Sequence, residues 1–284
     1  MLAKEKEEIR TLQVVTDSSC DLPKELLERY GVQTVPLSVD IDGELFHEGL
    51  NITPHEFYEK MAQSTQLPKT SQPSPDVFAE TFRALSSDGP IICITISSKL
   101  SGTYQSASLG GQLSGVDVTV FDSLTGSVGQ GLQVLRACEL AEAGCTADEV
   151  VAELSTYRSA MTTLVLLNTL ENIVKGGRLS RFQGNLSKIL DIRVLLRDAD
   201  GAVVVLEKVH GRRKLLDRAL QTIRGLRPDL SDRSVGITHF NNPDDAEALR
   251  RSLSEQCHPR GFIVNDMGPT MATYAGEGGM IVCF

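Results

Sequence analysis

Residues 95–107 read TISSKLSGTYQSA. Four hydroxyl side chains, Ser97, Ser98, Ser101 and Thr103, share seven positions with Gly102, directly after the apolar run 91–96. That composition at the end of a buried strand suits a phosphate, a carboxylate, a nucleophilic serine, or simply a well-capped helix start. Three more segments have the same character: Thr16-Asp17-Ser18-Ser19, Thr70-Ser71 and Asp122-Ser123. Ligands of open α/β sheets sit outside the carboxyl ends of the strands. If all four segments meet at one such rim, Asp17, Ser18, Ser71 and Ser98 belong to a network of small polar groups that, with helix N-termini, suits one anion.

Other chemistries are poorly served. A serine nucleophile wants a histidine base held by a carboxylate. The histidines are His47, His55, His210, His239 and His258; only His239 lies at a strand end, and a GxSxG elbow is missing. No GxGxxG follows the first strand, no Walker A loop is present, and neither H-x-E nor HExxH occurs. The six cysteines form no CxxC pair and mostly lie in apolar runs, as reduced small hydrophobes do. The residues thus offer binding groups without a catalytic engine. Two basic stretches, KGGRLSR (175–181) and HGRRKLLDR (210–218), suit either solvated helix ends or docking to a partner or phosphorylated group.

The elements that must position these groups can be read from pattern. DLPKELLERYG predicts a helix capped by Asp21 and stopped at Gly31. VQTVPLSVDIDGELFHEG predicts a hairpin about an Asp-Gly turn. TPHEFYEKMAQS carries a capping box, Thr53 with Glu56. LPKTSQPSP reads as a loop held extended by three prolines. Strands then alternate with helices to about residue 145, the signature of a parallel α/β sheet. The later half mixes hairpins with helices and predicts a second α/β domain, so the division is 1–146 and 147–284. With 284 residues the chain has room for two cores. A net charge of −9 disfavours non-specific binding to nucleic acid and anionic lipid, leaving at most transient contact with a membrane surface. The charged start MLAKEKEEIR lacks the apolar stretch of a signal peptide, and no run approaches the length of a membrane span; the expectation is a cytoplasmic protein.

The segments VVTDSSCDLP, KTSQPSP, ISSKLSGTYQSA, VFDS, LENIVKGGRLS, EKVHGRRK and GPTMATYAGEGG, in this order, resemble the DegV family from about residue 12 to the end. The resemblance implies two α/β domains, an N-terminal parallel sheet with helices on both faces and a C-terminal mixed sheet, with a long-chain fatty acid in a tunnel between them. It implies that the acyl carboxylate meets Thr70 and Ser101, assisted by Gly102 and by the residue at Tyr274. It further implies an ATP-binding fatty acid kinase subunit as partner, which would carry out acyl-phosphate formation, with no catalysis and no cofactor in this chain. Arg178 of the GGR motif resembles a position that docks to that partner, with Arg212 and Arg213 as further candidates. The chain departs from the family pattern in two places: Tyr274 stands where a histidine is usual, and His210 where an arginine is usual. A phenol can donate a hydrogen bond but cannot become a cation. The reading from the residues alone keeps an alternative, an enzyme acting on a phosphorylated small molecule through Asp17 or a rim serine.

Overall fold

The computed structural model describes residues 12–87, 89–179 and 192–284. The charged N-terminal stretch and Arg181 of the KGGRLSR segment lie outside the described residues. In chain order the first half comprises β1 (Gln13–Asp17), α1 (Lys24–Arg29), β2 (Gln33–Val35), β3 (Ser38–Ile41), β4 (Glu44–His47), α2 (Pro54–Gln63), β5 (Lys69–Ser71), α3 (Pro75–Leu85), β6 (Ile91–Thr95), α4 (Thr103–Ser114), β7 (Val118–Asp122) and α5 (Val128–Glu142). The second half comprises α6 (Ala147–Ser159), β8 (Thr163–Leu167), α7 (Glu171–Lys175), β9 (Ile192–Ala199), β10 (Ala202–His210), α8 (Arg212–Leu226), β11 (Ser234–His239), α9 (Pro243–Cys257), β12 (Gly261–Asp266), α10 (Pro269–Ala275) and β13 (Met280–Cys283).

The first sheet is parallel, in the order β2-β1-β6-β7. Its central strand β6 is IICIT, buried at every position, as expected of a strand covered on both faces. One face packs Val15, Ile91 and Cys93 against Phe78 and Phe82 of α3 and Ala107 of α4. The other packs Val14, Ile92 and Ile94 against Val134, Ala137 and Cys138 of α5. The alternation of odd and even residues along β1 and β6 thus assigns them to opposite layers. The second sheet is mixed, ordered β10-β9-β8-β13-β11-β12, with only β11 and β12 parallel. Its even-numbered residues Leu164, Leu166, Met280 and Val282 face α8 and α9, through Leu215, Ala219, Leu249 and Leu253. Val165, Leu167 and Ile281 face the other way.

A third sheet, β4-β3-β5, bridges the two. The hairpin β3–β4 turns on Asp42-Gly43, both at positive φ, and the Asp40 side chain accepts from the Gly43 N–H. The hairpin is shorter than the sequence pattern suggests. Residues 33–35 join the parallel sheet instead, and Pro36, unable to donate, separates the two pairings. Residues 69–71 are a strand rather than a loop, paired to β3 as the edge of the small sheet. Helix α1 begins after Pro23, not at Asp21, whose side chain is engaged elsewhere. The capping box of α2 is present: the Glu56 carboxylate accepts from the Thr53 N–H at 2.8 Å. Helix α6 follows α5 back along the first sheet and buries Val150 and Leu154 in that core. No helix among the described residues is long and apolar enough to cross a membrane.

Candidate functional site

Where the three sheets meet lies a cavity of about 300 Å³. Its floor and walls are apolar: Val165, Leu167 and Ile281 from the face of the mixed sheet opposite α8 and α9, Ile96 beyond β6, Leu37 before β3, and Met271 on α10. Its polar groups gather at Thr70, Ser71, Gln72, Ser101, Gly102, Arg178 and Tyr274. A cavity with an apolar body and a few convergent polar groups is the form of a small-molecule site.

Each polar group is placed by a local feature of the sequence. Thr70 sits on β5, opposite Val39 of β3. Ser101 and Gly102 form the turn between β6 and α4, where the Ser101 N–H donates to the Ser97 carbonyl and the Ser101 hydroxyl lies 2.9 Å from that of Thr103. Gly102 leaves room for the Gln72 carboxamide, which a side chain there would displace and which donates to the Ser106 hydroxyl at 2.8 Å. The missing Cβ therefore lets Gln72, the residue after β5, reach across the turn carrying Ser101 to α4. Tyr274 comes from α10, where Thr270, Met271, Tyr274 and Ala275 share the cavity face at helical spacing. Its hydroxyl lies 2.5 Å from the Thr70 hydroxyl.

The KGGR stretch completes the arrangement. Gly176 packs on the Tyr274 ring where any Cβ would collide, and Gly177 turns the chain at φ +72°. Arg178 is then laid over the ring, its guanidinium 4.9 Å from the centroid. Its Nε donates to the Leu100 carbonyl at 3.3 Å and its Nη1 to the Gly176 carbonyl at 2.6 Å. Arg178 is the one charged side chain among the described residues lining the cavity. Hydroxyls of Thr70, Ser71, Ser101 and Tyr274 beside one guanidinium can hold a monovalent anion whose remainder is apolar. No cluster of three or more metal-ligating side chains exists among the described residues.

Three residues of the expected rim network stand apart from this cavity. Asp17 is fully buried and staples the strand ends: its Oδ2 accepts from the Ile96 N–H at 2.8 Å and its Oδ1 from the Ser19 N–H at 3.1 Å. Burial pushes its carboxyl above the ordinary range, against the pull of those hydrogen bonds. The Ser18 hydroxyl donates to Glu48 and accepts from the Leu37 N–H. Ser98 lies beside the Asp122 carboxylate, which accepts its backbone N–H at 3.1 Å. Polar side chains at these strand ends are thus used mostly to satisfy loop backbone, and two of the four segments, at Thr70–Ser71 and Ser101, line this cavity. Arg212 pairs with Asp245 and donates to Asn242, joining the starts of α8 and α9; Arg213 beside it is exposed. Arg178 thus belongs to the cavity, while Arg212 and Arg213 belong to the layer covering the opposite face of the sheet. His239 faces Asp266 at 3.5 Å, with burial lowering its tendency to protonate, and no histidine lines the cavity.

Pattern reading did not single out Gln72, Thr270 and Met271. The spacing of Thr270, Met271 and Tyr274, at i, i+1 and i+4, held the signal for the latter two.

A family model described as "Uncharacterised protein, DegV family" matches residues 11–284. A DegV domain-containing protein of Listeria innocua is 32% identical over 272 residues, covering 95% of this chain and 96% of its own. Among solved structures, a DegV family protein from Ruminococcus gnavus, refined with vaccenic acid, superposes with a TM-score of 0.90 at 27% identity over 97% of this chain and 100% of its own. A DegV family protein from Thermus thermophilus, described for its fatty acid binding, gives 0.88 at 33% identity over 96% and 99%.

Proposed function

The chain belongs to the DegV family, and from that premise we propose that it binds a long-chain fatty acid in the cavity and presents the carboxylate to an ATP-binding kinase subunit. The observation that carries the binding reading is the junction of Thr70, Ser101, Tyr274 and Arg178 with an apolar-walled cavity. Hydrogen bonds to a charged acceptor contribute about 1.5–3 kcal/mol each. The apolar walls supply about 0.8 kcal/mol per methylene buried. The head group then sets orientation and the tail supplies most of the affinity.

A doubly charged phosphate is a poor match to this setting. One guanidinium offsets half its charge, and its surroundings of Val165, Leu167 and Ile281 penalise the rest. The enzyme reading on a phosphorylated metabolite is therefore the weaker one. The chain's own part in acyl-phosphate formation is to hold and orient: the hydroxyls and Arg178 fix the carboxylate, and the walls keep the tail from water. The acid–base and phosphate-binding machinery would be the partner's.

Native and denaturing mass spectrometry of the purified protein tests the binding. The expected result is a co-purifying fatty acid in the wild type that Thr70→Ala/Ser101→Ala loses. A wild type that is empty and refuses added fatty acid refutes it. Arg178→Ala tests the presentation step separately. Acyl-phosphate formation with an added kinase subunit should fall far more steeply than lipid binding, which loses one head-group contact and keeps the tail's contribution; equal loss of both would confine Arg178 to the binding of lipid.

A further inference from the structure

Asp21 and Glu48 are two carboxyl groups that the cavity does not use directly. Asp21 follows the turn after β1, and Glu48 follows β4; each is 5% exposed. They meet at Gly268, where an added Cβ would strike both Glu48 Oε1 and Asp21 Oδ1. All the hydrogen bonds they receive come from neutral donors. Asp21 Oδ1 accepts from the Gly268 N–H at 2.9 Å, and Oδ2 from the Ser127 hydroxyl. Glu48 Oε2 accepts from the hydroxyls of Ser18 at 2.9 Å and Thr270 at 2.7 Å, and Oε1 from the Thr270 N–H at 3.3 Å.

Burying two carboxyls side by side is costly, and burial followed by their mutual repulsion holds Asp21 well above the ordinary carboxylate range. Their bonds converge on one short segment. Gly268 caps α10 and Thr270 lies in its first turn. Tyr274 is four residues beyond Thr270, one turn along the same face. Ser18 and Ser127, on the other side of the pair, anchor it to the first sheet and to the start of α5. The carboxyls therefore connect the scaffold to the helix that supplies the phenol.

We propose that Asp21 and Glu48 are positioning residues of the head-group site: by gripping Gly268 and Thr270 they set where α10 places Tyr274 against Thr70. The ligand in this inference rests on the fatty-acid reading above. A positioning role differs from a merely structural one in what it changes. Misplacing Tyr274 weakens the grip on a carboxylate and leaves the tail's contribution alone.

The experiment compares cis-parinaric acid with its methyl ester, binding each to wild type, Glu48→Ala, Glu48→Gln and Thr270→Val, alone and with Tyr274→Phe. Thr270→Val removes one hydroxyl bond from the clamp and leaves both carboxyls in place, which keeps the test valid if Glu48→Ala does not fold. Acid affinity should fall about tenfold in Thr270→Val, the worth of one hydrogen bond to a charged acceptor, with ester affinity unchanged. Glu48→Gln, which keeps an acceptor oxygen, should retain the wild-type preference for acid. In the Tyr274→Phe background, Thr270→Val should have almost no further effect on acid binding. Equal loss of acid and ester in Thr270→Val, or full additivity with Tyr274→Phe, overturns the inference while the fatty-acid reading stands. A wild type that binds neither probe overturns both.

Discussion

Removing one oxygen from the cavity gives the sharpest test of the head-group site. In Tyr274→Phe the ring keeps its place: Gly176 still packs against it and Arg178 still lies 4.9 Å above its centroid. What goes is the hydroxyl that sits 2.5 Å from Thr70. In the free protein this removes one neutral hydrogen bond, worth about 0.5–1.5 kcal/mol, so a modest fall in stability is expected. In the complex the phenol donates to a carboxylate, worth about 1.5–3 kcal/mol, which is roughly ten- to a hundredfold in Kd. Isothermal titration with a saturated fatty acid, paired with its methyl ester, separates the two effects. The acid should weaken by that factor and the ester hardly at all. Tyr274→His extends the argument, because an imidazolium adds a positive charge to the same place. Acid affinity in that variant should rise as pH falls through about 6.5, the ordinary histidine value, whereas the wild type should lack that step. Wild-type affinity for acid in Tyr274→Phe would refute the claim that the phenol holds the head group.

Gly176→Ala should be far more damaging than a surface glycine change, because the new methyl meets the Tyr274 ring. A loss of about 1–3 kcal/mol in urea unfolding, together with weakened lipid binding, is expected for overpacking of this kind; unchanged binding would mean the ring can move without consequence. Val165→Phe fills the apolar body of the cavity without touching the polar end. Mass spectrometry of co-purified lipid should show shorter chains, with affinity falling by about 0.8 kcal/mol for each methylene excluded; an unaltered chain-length profile would place the tail elsewhere. The pH dependence of stability follows from the buried carboxyls. Burial raises Asp17 and Glu48, and burial with the charge of Glu48 raises Asp21, so the folded protein holds protons that the unfolded chain releases. Their stabilisation is complete below the ordinary carboxylate range of about 4 and is lost as pH rises toward the folded values. Glu48→Gln removes one of these protons from the balance, so its Tm relative to wild type should climb as pH rises above the ordinary carboxylate range; a difference that stays constant with pH would show that folding does not raise Glu48.

Much of this architecture was legible because it is written in short-range chemistry. Asp42-Gly43 marks a hairpin turn, Thr53 and Glu56 mark a helix start, and the run IICIT marks a strand buried on both faces; each of these signals lies within a few residues. The small sheet was harder. Its edge strand 69–71 is only three residues long between prolines, and its identity depends on β3, some 30 residues earlier. The cavity residues Thr70, Ser101 and Arg178 were legible through motif order, and Tyr274 through its departure from that order. Periodicity alone could not bring β5, the β6–α4 turn and α10 together.

Polar residues at strand ends carried the least information about their destination. Asp17, Ser18 and Asp122 have the composition of ligand-binding loops, yet their side chains satisfy backbone N–H groups of Ile96, Leu37 and Ser98. A buried loop and an anion site ask for the same donors and acceptors, since both must satisfy polar groups away from water. What separates them is whether a space remains beside those groups once the backbone has been served. At Thr70 and Ser101 it does, with Gly102 leaving room for the Gln72 side chain and Gly176 for the Tyr274 ring at its border. At Asp17 the backbone itself closes the space. Glu48 shows the limit of pattern reading most clearly: its neighbours in sequence are exposed, and its role arises only where Thr270, far along the chain, reaches it. The space left beside them, more than the supply of polar side chains, therefore decides which strand end of this fold can receive a ligand.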